Sequence, residues 1–200
     1  MVQLQFLLFQ VCCVLFSPSD SCELKLDTNT ANRNLVLSED NRKVTGVRQK
    51  QPYLCHPERF EHCKQILCRD GLTGRCYWEV EWKGWVDIGL TYRGISRRGG
   101  GYDCGLGGNK NSWSLYCYDG GFSAWYNNRQ TLIPAPPSSN RVAVYLDWPA
   151  GSLSFYSVSS DTLIHLHTFS STFTEPLYPG FWILCGSGYS LGSSVSLCEI

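Results

Sequence analysis

From Ser21 onward, apolar side chains alternate with polar ones at a period of two residues, and turn residues interrupt the pattern at short intervals. In segment 77–82, Trp78, Val80 and Trp82 fall on one face, while the two intervening glutamates fall on the other. A half-buried antiparallel strand has this alternation, and an amphipathic helix does not. The chain is therefore predicted to be all-β.

The same pattern predicts further strands, joined by tight turns. Turn residues around Gly120 and Gly151 indicate two hairpins, each formed by neighbouring segments. Regularly spaced short strands of this kind predict an antiparallel β-sandwich or barrel. The predicted strands are 77–82, 86–92, 113–118, 122–126, 142–146, 153–158, 163–169 and 194–197. The predicted core residues are Trp78, Val80, Val144, Leu146, Leu153 and Phe155.

Composition narrows the class of partner. Of the 200 residues, 43% are hydrophobic and 17% are charged, a balance typical of a globular domain and not of a disordered chain or coiled coil. Seventeen Lys and Arg residues offset 17 Asp and Glu residues, so no net field attracts nucleic acid or an anionic membrane. We therefore expect no nucleic-acid partner. We also expect no membrane span, because the apolar run at residues 4–16 is too short to cross a bilayer.

The cysteines and the N-terminus point to different compartments. The count of 11 cysteines is odd, and a chain this long can stabilise its core without disulfide cross-links. The cysteines beyond Cys22 are therefore expected to be unpaired, in a reducing compartment. Residues 4–16 form an apolar run followed by Ser17-Pro18-Ser19, which is similar to a signal peptide but has no preceding Lys or Arg. We predict a cytoplasmic location, with secretion as the alternative if residues 1–19 act as a signal peptide.

Several sequence blocks occur together and in order. They are 26–31 with 35–38, 59–60 with 66–67, 74–82, 146–147 with 151–156, and 176–181. Together they resemble the PRY/SPRY domain of tripartite-motif proteins, butyrophilins and fish NACHT-type immune receptors, although Thr28 stands where the family usually has proline. The resemblance covers residues 22–200.

This resemblance implies a two-sheet antiparallel β-sandwich of SPRY type, a concanavalin-like jelly roll with N-terminal PRY strands. The predicted organisation is an apolar leader, signal-like or unstructured, at residues 1–21, and one PRY/SPRY domain at 22–200. The PRY part is expected at about 22–75 and the SPRY part at about 76–200.

Candidate binding residues follow from alternation and from the resemblance. If Trp113 faces the core, Tyr116 and Tyr118 face outward, and Asp87 points away from its apolar neighbours. The resemblance implies that Asp87, Tyr116 and Tyr118 match positions that contact bound protein in relatives. Trp182 or Tyr189 is expected to rim this face, and Arg97 to make a weaker rim contact. The alternative is a solvated sheet face stabilised by cross-strand pairs.

Four loops are expected to add variable contacts to the same ligand. Glycine and polar residues dominate them, and such residues permit sequence change without disturbing a core. The loops are Thr45–Gln51, Ser96–Tyr102, Gly107–Asn111 and Gly186–Gly192.

No pattern in the chain supports catalysis or a metal. Residues 188–192 fit the G-x-S-x-G nucleophile motif, but no histidine follows Ser190 and no helix is expected there. The cluster of cysteines and histidines at 55–68 lacks the spacing of a zinc site. His165 and His167 are expected to share a strand face without an acidic partner nearby. We predict no catalytic residues, no metal and no cofactor.

The sequence thus predicts a non-catalytic recognition module for a protein or peptide. By resemblance, it would act in innate immune or ubiquitin-linked signalling. The alternatives are a carbohydrate-binding, lectin-like domain and a secreted effector or toxin-like subunit. The oligomeric state is not predicted.

Overall fold

In the computed structural model, the described residues are 17–134, 139–160, 162–184 and 192–200. They form two antiparallel sheets packed face to face, together with two short 3-10 turns at Pro18–Asp20 and Gly101–Asp103. The strands are β1 (Leu35–Ser38), β2 (Lys43–Gly46), β3 (Gln65–Leu67), β4 (Arg75–Lys83), β5 (Trp85–Tyr92), β6 (Ser112–Tyr118), β7 (Gly121–Tyr126), β8 (Arg129–Ile133), β9 (Arg141–Asp147), β10 (Ser152–Ser159), β11 (Thr162–Ser170), β12 (Leu177–Leu184) and β13 (Ser194–Leu197).

The strand order explains why the N-terminal strands are part of the same domain. The seven-stranded sheet runs β1-β2-β13-β4-β9-β10-β11, and the six-stranded sheet runs β3-β12-β5-β6-β7-β8. β2 thus pairs both with β1 and with β13, the last strand of the chain, and β3 pairs with β12. The two-sheet sandwich predicted from the sequence is confirmed.

The core lies between the two sheets, where the inward residues of each strand meet. All six predicted core residues are buried there, with exposed fractions of 2% or less, so these predictions are confirmed. Trp82 also packs edge-on against Phe122 of the opposite sheet, with 6.1 Å between ring centroids. Both predicted hairpins form, around Gly120 and Gly151. Within the described residues, no helix is long and apolar enough to cross a membrane.

Two local details differ from the sequence prediction. A bulge in β11 pairs Phe155 with His167 but Tyr156 with His165. The two histidines therefore lie on opposite faces, and the expectation that they share one was wrong because a bulge shifts the alternation by one residue. The predicted loop 45–51 also begins too early, since Thr45 and Gly46 pair in β2.

Two disulfides correct the expectation of unpaired cysteines. Cys22 bonds to Cys76 with 5.6 Å between Cα atoms, and Cys63 bonds to Cys104 with 6.4 Å between Cα atoms. Both Cα distances suit a disulfide. The partners lie 54 and 41 residues apart in sequence, so only the folded topology reveals that they are neighbours. The free cysteines among the described residues are Cys55, Cys68, Cys117 and Cys198.

Candidate functional site

The outer face of the six-stranded sheet brings the predicted binding residues together. Asp87 on β5 lies directly between Trp182 on β12 and Tyr116 on β6. The row continues through Ser123 on β7 to Leu132 on β8. Since directly opposed residues in a sheet point to the same side, all five belong to one surface. We call this surface the aromatic face and define it by Trp85, Asp87, Tyr116, Tyr118, Trp125 and Trp182.

The aromatic rings form a partly exposed cluster. Tyr116 and Tyr118 stack with 5.2 Å between ring centroids, and Trp85 meets Tyr118 edge-on at 6.5 Å. These rings and that of Trp182 are neither fully buried nor fully exposed. Trp182 lies within β12 and so belongs to the sheet itself. The cluster therefore presents rigid aromatic surface to solvent.

Two aromatic members were missed by the sequence analysis. Trp85 lies two residues before Asp87, so the alternation in β5 was enough to place both on the same face. Trp125 lies two residues after Ser123, and its indole Nε1–H donates to the Ser123 hydroxyl at 2.9 Å. The signal for Trp85 was present in the sequence, whereas the Trp125 position depends on the strand register.

Asp87 forms the floor of the aromatic face. Alternation predicted that it points outward, which the register confirms, yet its side chain is buried and the residue is only 6% exposed. The Ser114 hydroxyl donates to Asp87 Oδ1 at 3.1 Å. Burial raises the pKa of Asp87 to about 8, and the bond from Ser114 opposes that shift. Near neutral pH the carboxyl group thus holds its proton much more tightly than an exposed aspartic acid.

A glycine-rich loop closes one end of the face, next to Trp182 and Ser114, which flank Asp87. A Cβ atom at Gly105 would collide with the ring of Trp182, and one at Gly107 would lie 2.5 Å from Ser114 Oγ. Gly107 also has a φ of +75°, which disfavours any other residue. The loop therefore packs against the sheet at Gly107, a position that the sequence analysis expected to tolerate change.

Buried contacts fix this loop to the sheet. The Gln65 side chain is fully buried, its amide Nε2–H donates to the Cys104 carbonyl at 3.0 Å, and its Oε1 accepts the Leu106 N–H at 3.0 Å. The Cys63–Cys104 disulfide adds a covalent tie beside these bonds. The wall of the aromatic face is therefore preorganised.

Arg97 stays outside this group. Its guanidinium lies 3.0 Å from a Glu58 carboxylate oxygen and 4.7 Å above the ring of Phe60. Its side chain is only 9% exposed, so its contacts hold neighbouring loops together. Tyr189 lies outside the described residues, as does loop 186–192 except for Gly192.

The described structure adds little support for the other candidate sites. Within the described ranges, no group of three or more His, Cys, Asp or Glu residues could hold a metal ion. The G-x-S-x-G segment lies outside the described residues except for Gly192. Cavities of about 520 and 370 Å³ lie elsewhere, the first beside Arg33 and Arg59 and the second beside Trp78 and Leu197.

Comparisons with known proteins agree with this architecture. The model of the PRY family, the SPRY-associated domain, matches residues 24–72, and the SPRY domain model matches residues 75–194. Stonustoxin subunit beta of Synanceia horrida is 44% identical over 81% of this chain and 23% of its own length. Tripartite motif-containing protein 16 of Mus musculus is 39% identical over 82% of this chain and 30% of its own length. This chain therefore spans less than a third of either relative.

Solved structures give the same result. The crystal structure of the TRIM65 PSpry domain superposes with a TM-score of 0.81 at 30% identity, covering 91% of this chain and 92% of that one. A stonustoxin structure superposes with a TM-score of 0.82 at 38% identity, covering 90% of this chain and 29% of that one. With this fold and a SPRY model that matches more than half of its residues, the chain belongs to the SPRY domain family and includes the PRY segment.

Proposed function

We propose that this chain is a non-catalytic recognition module that binds a protein or peptide through the aromatic face. SPRY domains are generally non-catalytic interaction modules, which supports the proposal at the level of the family. The observation that carries it is the group of partly exposed rings around the buried Asp87 on one rigid sheet. Tyr and Trp rings anchor protein interfaces because they offer large contact areas at low entropic cost.

The face is also suited to a macromolecular ligand by its shape and rim. Leu132 at one end is 70% exposed, and the fixed glycine-rich loop stands at another. An open surface with aromatic anchors, an exposed apolar margin and a rigid wall favours an extended protein segment over a small enclosed ligand.

Selection of peptide ligands tests this proposal. Peptides from a random displayed library, selected on the folded chain, should bind on the order of thirtyfold more weakly to Tyr116→Ala and Tyr118→Ala variants. Leu54→Ala removes a side chain that is 86% exposed and lies outside the aromatic face, so it should leave binding unchanged. Peptides whose affinity is insensitive to both tyrosine substitutions would contradict the assignment of this face. A glycan array tests the lectin-like alternative on the same samples.

A second candidate is a domain of a secreted toxin-like protein. The 44% identity to stonustoxin subunit beta and the two disulfides favour it, because disulfides persist in oxidising compartments. N-terminal sequencing of the expressed protein distinguishes the two candidates. A mature N-terminus near Ser19 supports secretion, and an intact Met1 supports the cytoplasmic location.

A further inference from the structure

Asp87 differs from the other buried acid in the described part of the chain. Asp27, which is 9% exposed, has an arginine partner, since Arg93 Nη2 lies 3.3 Å from its carboxylate. Asp87 is more deeply buried but has no ion-pair partner among the described residues, and its one hydrogen bond comes from the neutral Ser114 hydroxyl. A buried carboxylate without a cation is costly, so such an arrangement marks a site where a cation could be supplied from outside.

The residues around Asp87, like its own carboxyl group, favour the binding of a cation. Trp182 and Tyr116 flank it on the neighbouring strands, and Trp85 lies two residues earlier on the same face. Aromatic ring faces carry partial negative charge and attract lysine and arginine cations. Arginine gains most, because its planar guanidinium both stacks on rings and pairs with a carboxylate.

The molecule already uses this combination elsewhere. Arg93 lies 5.1 Å above the Tyr178 ring and 2.8 Å from a Glu58 carboxylate oxygen. Arg97 lies above Phe60 and also pairs with Glu58. In each case an arginine is held between a ring and a carboxylate. The aromatic face supplies the rings and the carboxylate, and within the described chain it supplies no arginine.

We propose that the segment recognised by the aromatic face places a cationic side chain, preferably arginine, above Asp87 and between the surrounding rings. This inference rests on the proposed function and deepens it by naming the chemistry of the central contact. The ligand cation would serve as the ion-pair partner of Asp87, and the surrounding rings would exclude water from the pair. A neutral ligand group that accepts a hydrogen bond from protonated Asp87 is the competing arrangement.

Binding should also move a proton. Because burial raises the pKa of Asp87 to about 8, the free protein is largely protonated there at pH 7. An arriving guanidinium pairs with the carboxylate, and the Asp87 proton passes to the buffer. The groups facing Asp87 from β12, β5 and β6 are Trp182, Trp85, Ser114 and Tyr116, and the glycine-rich loop at the end of the face carries the exposed Asp103. Affinity should therefore rise between pH 6 and pH 8.

The test uses peptides selected on the full chain whose binding requires Tyr116. Replacing their arginine or lysine with glutamine should weaken binding at least tenfold, whereas on an Asp87→Asn variant the same replacement should have little effect. Calorimetry in buffers of different ionisation enthalpy should show proton release by the native chain and none by the variant. Asp119→Asn is the matched control, because it removes an exposed acid near the end of β6.

The outcomes separate the two proposals. Peptides that require Tyr116 but bind equally with glutamine, or equally to Asp87→Asn, overturn the cation inference and leave the recognition face intact. An equal loss with Asp119→Asn means that general attraction between charges is responsible, which also overturns it. If no selected peptide requires Tyr116, the proposed function fails and the cation inference fails with it.

Discussion

The outer faces of the two sheets both carry tyrosines and a carboxylate, but they differ in how far these groups are buried and in which partners the carboxylate has. On the seven-stranded sheet, Tyr77 and Tyr145 are each 7% exposed, and the Tyr77 hydroxyl donates to Glu79 at 2.5 Å. Arg141 also pairs with Glu79, so that carboxylate has both a hydroxyl and a cation. The tyrosines of this outer face are therefore buried, and the Glu79 carboxylate between them is satisfied within the chain.

The aromatic face has tyrosines and a carboxylate without the same completion. Tyr116 and Tyr118 remain partly exposed, and among the described residues Asp87 has no cation partner. The difference teaches that aromatic content alone does not identify a binding surface. What distinguishes the aromatic face is accessible ring area next to a buried acid that has no cation partner among the described residues.

The largest expected contrast is in stability. Tyr156 is 2% exposed on the outer side of the seven-stranded sheet, so Tyr156→Ala should lower the free energy of unfolding by about 4 kcal/mol, as large aromatic truncations do. Tyr116→Ala on the aromatic face should cost less than about 1 kcal/mol. Urea unfolding of both variants measures this. Equal losses would show that both tyrosines are structural.

The next contrast concerns the two disulfides. Replacing either pair with serine should cost about 3 kcal/mol, because each cross-link restricts the unfolded chain. Only loss of Cys63–Cys104 should also weaken peptide binding, because Cys104 holds the loop that packs against Trp182. Binding and unfolding measured on both double variants check this. A binding loss of the same size without Cys22–Cys76 would remove the link between the loop and the face.

A smaller contrast concerns how Asp87 and Glu79, the carboxyl groups of the two outer faces, affect stability at different pH. With the Asp87 pKa near 8 when folded and near 4 when unfolded, the folded state holds the extra proton, so this residue makes stability fall as pH rises from 4 to 8. Asp87→Asn should therefore raise stability at pH 8 by about 2 kcal/mol, after allowance for relaxation of the charged site. Glu79→Gln should lower it by about 1 kcal/mol by removing the Arg141 pair.

Unfolding curves at pH 5 and pH 8 measure both effects. The gain in stability of Asp87→Asn should be smaller at pH 5, because at that pH the Asp87 carboxyl group of the unsubstituted protein is mostly protonated in the folded state. A loss of stability in Asp87→Asn at pH 8 would mean that the native charge is satisfied within the chain.

Local alternation was sufficient to predict much of this molecule. The core positions of Trp78 and Phe155 and the shared direction of Asp87, Tyr116 and Tyr118 follow from a period of two residues, which neighbours in sequence determine. The polar strand β8 was missed because its pairing with β7, and not an apolar pattern, defines it.

The burial of Asp87 and the disulfides could not be predicted in this way. Residues near Gly105 and Gly107 return to the sheet against Trp182 and Ser114, which flank Asp87, and Cys63 meets Cys104 across 41 residues of chain. Such contacts depend on where loops cross a finished sheet. Arg97 was expected at the rim of the face because the sequence does not reveal that Glu58 and Phe60 hold its side chain elsewhere.

A titration of the Asp87 carboxyl carbon by ¹³C NMR tests the central claim most directly. The free protein should show a midpoint near pH 8, because the buried carboxyl has no cation beside it within the described chain. A bound peptide carrying arginine should lower that midpoint, while its glutamine analogue should not. A midpoint near 4 in the free protein would show that the charge of Asp87 is already stabilised, and would contradict the distinction between the two outer faces.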